Sequence, residues 1–127
     1  MKYRSPLGET LGLGAAGDGP AHWWAQRVSA VGVGILTIWF LVSLAGLDLG
    51  DQTALLEWIS VPFNSVLAVL LITVTAYHSN LGVQEVIVDY VGGGMRIVSL
   101  LAVQFLHVVL AGIGIAAILR IAFGDSA

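Results

Sequence analysis

The residue of this chain best placed to do chemistry is a histidine inside an apolar run. His78 lies in Ala76-Tyr77-His78-Ser79, and Asp89-Tyr90 follow eleven and twelve residues later, where that run gives way to polar sequence. A neutral imidazole at bilayer depth can ligate iron, and a phenol at the bilayer edge can donate a hydrogen bond to a carbonyl. Ionisable residues at membrane depth are costly and mark functional sites. Plainer readings stand beside these. A membrane histidine can simply bond a neighbouring helix, Tyr is common at the interface, and Asp is common in loops. On the residues alone, ligation and structural bonding both stay open for His78.

The surroundings sharpen each reading. Thr75 and Gly82, one turn either side of His78, are small enough to leave room for a flat macrocycle, which favours an axial ligand to haem iron. Tyr90 could hydrogen-bond a quinone carbonyl while Asp89 orients the site or pairs with a cation, the apolar tail of the quinone staying in lipid. Arg27 reads equally as a snorkelling anchor and as a partner for a haem propionate. Gln104 and His107, three residues apart, are expected to face protein and not lipid. Counted from the ends of the apolar runs, His78 lies about 8 Å deep and His107 about 15 Å. That mismatch makes His107 a packing residue and points to another subunit for any second ligand. His22 is given no role.

These residues must be positioned by membrane helices. The chain has 127 residues, 57% hydrophobic and only 10% charged, with a mean hydropathy of +0.92, which excludes a soluble domain of this size. The net charge of -3 has no basic cluster, so nucleic acid is not expected as a partner. With no cysteine, disulfides, thiolate metal sites and iron-sulfur ligation are excluded within the chain.

Three apolar runs, at about 28–47, 59–83 and 97–123, are each long enough to cross the ~30 Å hydrocarbon core. The fold class is therefore all-α membrane protein with three transmembrane helices. Residues 1–27 form a polar, glycine-rich arm and 28–127 the membrane domain. Gly12-Leu-Gly14-Ala-Ala-Gly17 matches a dinucleotide-binding fingerprint formally, but no strand precedes it, so it is read as a flexible arm. Asp51 to Trp58 could form a turn or two of interfacial helix, Pro62 suits a helix first turn, and Gly92-Gly93-Gly94 should stop the second helix. Ala30 with Gly34, and Gly112 with Ala116, are spaced for close helix approach.

Four of the five Lys and Arg residues, Lys2, Arg4, Arg27 and Arg96, fall on one side of this topology, against Arg120 alone on the other. The N-terminus and the His78 to Tyr90 end are thus expected on the cytoplasmic side. Nothing near the start reads as a signal or transit peptide, which fits a bacterial inner membrane.

With three helices, a His in the second and the His-x10-Asp-Tyr spacing, the chain resembles the small hydrophobic membrane-anchor subunit of succinate dehydrogenase (respiratory complex II). His22-Trp-Trp-x-Gln-Arg27-Val-Ser29-Ala is similar to the alphaproteobacterial form. The resemblance covers His22 to the end of the third helix. It implies that His78 ligates a haem b shared with a partner cytochrome b-type anchor, that Tyr90 hydrogen-bonds ubiquinone with Asp89 beside it, and that Arg27 meets a propionate. It also implies a bundle shared with that partner anchor, and iron-sulfur and flavoprotein subunits that deliver electrons from succinate. In that scheme the chain serves the tricarboxylic acid cycle and respiratory chain as part of an enzyme and is not catalytic alone. Two alternatives remain: the cytochrome b anchor of a quinol:fumarate reductase, and a cofactor-free structural membrane subunit.

Overall fold

The computed structural model describes residues 19–124. Among them every regular element is helical: α1 Gly19–Ala45, α2 Gln52–Ser60, α3 Pro62–Tyr90 and α4 Gly93–Phe123. Three of these, α1, α3 and α4, are long and apolar enough to cross a membrane. The fingerprint-like Gly12 to Gly17 stretch lies outside the described residues.

The long helices overrun the apolar runs that announce them. With 27, 29 and 31 residues, they extend about 40 to 46 Å, more than the ~30 Å of hydrocarbon. Hydropathy marks only the part of a helix at membrane depth. Thus α1 begins nine residues before Val28 and takes in His22, Trp23, Trp24 and Arg27, while α3 continues seven residues past Val83 to Tyr90. At its other end α3 starts at Pro62, with Val61 extended at φ -67° and ψ 121°. Proline fits the first helical turn and pushes its predecessor out of helical geometry. The glycine triplet does stop α3. Gly93 has φ +61°, the left-handed conformation that reverses the chain into α4.

Helix α3 is the centre of the arrangement, with α1 and α4 packed against it and not against each other. Close approach occurs at glycine on both sides. A Cβ at Gly32 would come 3.2 Å from Val74 Cγ1, and one at Gly114 would come 3.0 Å from Ile72 Cδ1. The expected small-residue pairs make no such approach within the chain, since Gly34 and Gly112 have open space where a Cβ would be. Helix α2 closes one end of the bundle. Asp51 Oδ1 accepts a hydrogen bond from Thr53 N at 2.8 Å as its N-cap. Trp58 stacks on Trp39 with ring centroids 5.8 Å apart, and Asn64 Nδ2 donates to Trp58 O at 2.9 Å.

The apolar side chains mostly face outward. In the most apolar window of each span only 6%, 11% and 0% of residues are buried within the chain. The described fold therefore does not have a self-contained core; Ile35, Ile38, Leu41, Phe105 and Ile113 are exposed and need lipid or other protein around them.

Candidate functional site

His78 is half-buried on the face of α3 that meets α1. Its Nδ1 lies 3.0 Å from Ser29 Oγ. Ser29 is itself buried at 6% exposure, and its hydroxyl donates to Gln26 O at 3.1 Å. A hydroxyl has one proton to give. With that proton on Gln26 O, Ser29 Oγ accepts from Nδ1–H, which leaves the lone pair on Nε2. This tautomer is assigned from the hydrogen-bond network. Among the described residues Nε2 has no hydrogen-bond partner, so His78 is held at one nitrogen and open at the other. That donor set fits an axial ligand to haem iron, for which the second ring nitrogen is ordinarily tethered. Among the described residues no group of three or more His, Asp or Glu could hold a bare metal ion.

The Ser29 contact belongs to a longer polar seam. On α1, His22, Gln26 and Ser29 recur at intervals of four and three residues; on α3, His78, Gly82 and Glu85 do the same. The two helices run antiparallel, so the sets pair rung by rung. His22 Nε2 comes within 2.7 Å of Glu85 Oε1, though without hydrogen-bond alignment. The Gln26 amide lies over Gly82, 3.6 Å from where a Cβ would stand. Gly82, read from the sequence as space for a macrocycle, is covered by that amide. Reading the sequence in isolated segments gave His22 no role. The matched four-three spacing in the two helices was the signal that could have assigned one.

The depth argument against His107 is overturned, although its conclusion is not. His107 Nε2 lies 3.1 Å from Ser79 Oγ, which puts it level with the residue after His78. The reason is the tight turn at Val91-Gly92. His78 is 12 residues from the end of α3 and His107 is 14 from the start of α4, so both lie about 18 to 21 Å along their helices. What occupies His107 is hydrogen bonding. Val103 O, 2.8 Å from Nδ1, can only accept, so Nδ1 donates and Nε2 accepts from Ser79. Both nitrogens are engaged. The Ser79 and His107 pair lies along a groove of about 530 Å³ between α1 and α4, floored by α3 and including Phe40 and Thr75. Gln104 stays exposed beside Asn80 and Tyr77 on the other side of the α3–α4 contact.

Tyr90 is the last residue of α3 and, at 85% exposure, among the most open side chains of the molecule. Asp89 beside it is exposed as well. Twelve helical residues separate Tyr90 from His78, about 18 Å along the axis, so the structure divides the predicted residues between two places on one helix. Arg27 stands apart from both. Its guanidinium lies 5.2 Å from the centre of the Trp23 ring, and two residues of helix turn it to the opposite face of α1 from Ser29.

Comparison with known proteins decides the family. Residues 1–115 match the family described as Succinate dehydrogenase/Fumarate reductase transmembrane subunit. The chain belongs to this family. It is 35% identical over 96 residues to the succinate dehydrogenase hydrophobic membrane anchor subunit of Paracoccus denitrificans, covering 76% of this chain and 74% of that one. The anchor subunit of the same name from Rickettsia conorii is 26% identical over 90 residues, 70% of this chain and 71% of its own length. That from Rickettsia prowazekii is 32% identical over 74 residues, 58% of this chain and 59% of its own. No solved structure matches. Membership of this anchor family, with three helices fit to span a bilayer, makes the chain a multi-pass membrane subunit.

Proposed function

We propose that this chain anchors a succinate:ubiquinone oxidoreductase in a bacterial inner membrane, gives one axial ligand to a haem b, and forms part of the ubiquinone reduction site. The observation that carries this reading, beyond family membership, is the His78 ring, tethered at Nδ1 by Ser29 with Nε2 left to ligate. A bound haem b supplies a one-electron redox centre within the bilayer. His78 would hold its iron from this chain, and the cytochrome b-type partner anchor would supply a second ligand. Arg27 is the proposed propionate contact. Its exposure leaves the guanidinium available, and its place on the far face of α1 ranks that role behind interfacial anchoring over Trp23.

At the end of α3 the Tyr90 phenol donates a hydrogen bond to a ubiquinone carbonyl, and Asp89 orients the pocket. Their exposure suits a site whose remaining walls come from the partner anchor and the iron-sulfur subunit. The flavoprotein subunit oxidises succinate, electrons pass through the iron-sulfur subunit, and quinone is reduced beside Tyr90 on the cytoplasmic side. This chain positions the quinone where a lipid-dissolved substrate meets the soluble subunits. The family description also names fumarate reductase, which would run electrons the other way. The relatives named above, all succinate dehydrogenase anchors, favour the first direction.

Two measurements on the purified complex test the two sites separately. Dithionite reduction should give a b-type absorption band that His78→Ala abolishes. Absence of the band, or its survival unchanged in that variant, removes the haem assignment and leaves a structural histidine. Tyr90→Phe should lower succinate:quinone reductase activity at least tenfold while succinate oxidation by a soluble dye stays near the unmodified level. Equal loss of both activities would show failed assembly instead of a quinone contact.

A further inference from the structure

We propose that Ser29 is a positioning residue for the His78 imidazole, accepting the Nδ1 proton so that the ring presents its Nε2 lone pair in one orientation and as a more basic ligand. The proposal rests on the reading of His78 as a haem ligand.

Ser29 and Ser65 are the two buried polar side chains among the described residues. Ser65 shows what a buried helical serine does by itself: its hydroxyl bonds Pro62 O, three residues back, at 3.0 Å. Ser29 makes the same local bond to Gln26 O and adds a contact to another helix, 3.0 Å to His78 Nδ1. The local bond gives the cross-helix contact its direction, because it takes the hydroxyl proton and turns an oxygen lone pair toward the imidazole. The contact sits beside a close approach of the two helices. Helix α1 approaches α3 closely where Gly32 meets Val74, one turn from each member of the pair.

His107 is the internal comparison. It lies at a similar depth, but the chain closes both of its nitrogens, through Val103 O and Ser79 Oγ. A hydroxyl on Nε2 makes a structural histidine; a hydroxyl on Nδ1 makes one available for ligation. The same kind of side-chain contact thus serves opposite ends at the two histidines.

An acceptor on the second ring nitrogen raises ligand basicity, and removing such partners costs about 10–100-fold in metal affinity. A more basic imidazole favours the ferric state, so losing the acceptor should move the haem midpoint potential upward. A tenfold loss of ferric preference corresponds to about 59 mV for a one-electron couple.

The test uses the complete membrane complex with Ser29→Thr and Ser29→Val, which have nearly the same shape and differ in the hydroxyl. Equilibrium redox measurement and low-temperature electron paramagnetic resonance of the haem are read together, normalised to flavin content so that assembly is counted separately. Ser29→Thr should keep the potential and the low-spin signal, whereas Ser29→Val should shift the potential upward by about that amount and change the signal. Ser29→Ala serves in place of the valine variant if that one fails to assemble. Equal values in the hydroxyl and non-hydroxyl variants, or a downward shift, overturn the proposal. The control is His78→Ala. If the b-type band survives there, the haem reading itself fails; if it is lost while the Ser29 variants do not differ, only the role of Ser29 fails.

Discussion

The two intramembrane histidines look alike in the sequence and differ in what their nitrogens touch. Among the described residues nothing bonds His78 Nε2, whereas His107 gives Nδ1–H to Val103 O and takes a hydrogen from Ser79 Oγ. His107→Ala is therefore expected to leave the b-type band at full height while weakening the α3–α4 contact. Interhelical hydrogen bonds in membranes average well under 2 kcal/mol, so the cost should be about 1 kcal/mol. Thermal unfolding of the purified complex, followed by circular dichroism, would register it as a lower midpoint. A lost b-type band would show instead that His107 reaches iron. The residue types at both positions are legible in the sequence, and so is the expectation that His107 packs, which its two hydrogen bonds support. Its reason was not. Depth was measured from where hydropathy fades, and hydropathy does not register Gln84 to Tyr90 as helix. The Ser29 contact was out of reach for a related reason. A serine in an apolar helix is unremarked until the facing helix is known, and only the four-three match of His22, Gln26 and Ser29 with His78, Gly82 and Glu85 hints at the pairing.

The elements were more readable than their contacts. Three spans, a short interfacial helix capped by Asp51, Pro62 in a first turn and a stop at the glycine triplet all follow from local chemistry that acts within a few residues. Which glycines matter depends on distant partners, so the close approach within the chain falls at Gly32 and not at Gly34. The turn between α3 and α4 brings a prediction at this scale. It is two residues long, is tied by Arg96 Nε donating to Val91 O at 2.8 Å, and reverses at Gly93 with φ +61°. A side chain there meets the left-handed penalty, roughly 1–2 kcal/mol. Gly94 has no positive φ, and a Cβ added to it meets nothing within 4 Å. Gly93→Ala should therefore lower the thermal midpoint of the complex, while Gly94→Ala should hold or slightly raise it through better helix propensity. Equal effects would mean that Gly93 is not what reverses the chain. Because Tyr90 immediately precedes this turn, Gly93→Ala should also reduce quinone reductase activity more than dye-linked succinate oxidation.

For the whole molecule, the antiparallel packing fixes which ends lie together, and charge then sets which way they face. The start of α1, the end of α3 and the start of α4 share one end, as the His22 and Glu85 contact shows; α2 and the Trp39 and Trp58 stack lie at the other. Arg27 and Arg96 belong to the first end and Arg120 to the second. Cationic residues near span ends are retained in the cytoplasm, so Tyr90 should face the cytoplasm and the chain should end outside. That orientation would place the proposed quinone site on the side where soluble subunits are made and can dock. The exposed Gln104 at membrane depth calls for a protein neighbour within the bilayer as well, because lipid cannot satisfy an amide. A reporter that is active only outside the cytoplasm, fused after Ala127, should therefore be active, and the same reporter inserted at Gly92 should be silent. The reverse pattern would put Tyr90 across the membrane from the soluble electron donors, and the quinone-site proposal would fall with the topology while the ligation of haem by His78, which does not depend on sidedness, would stand.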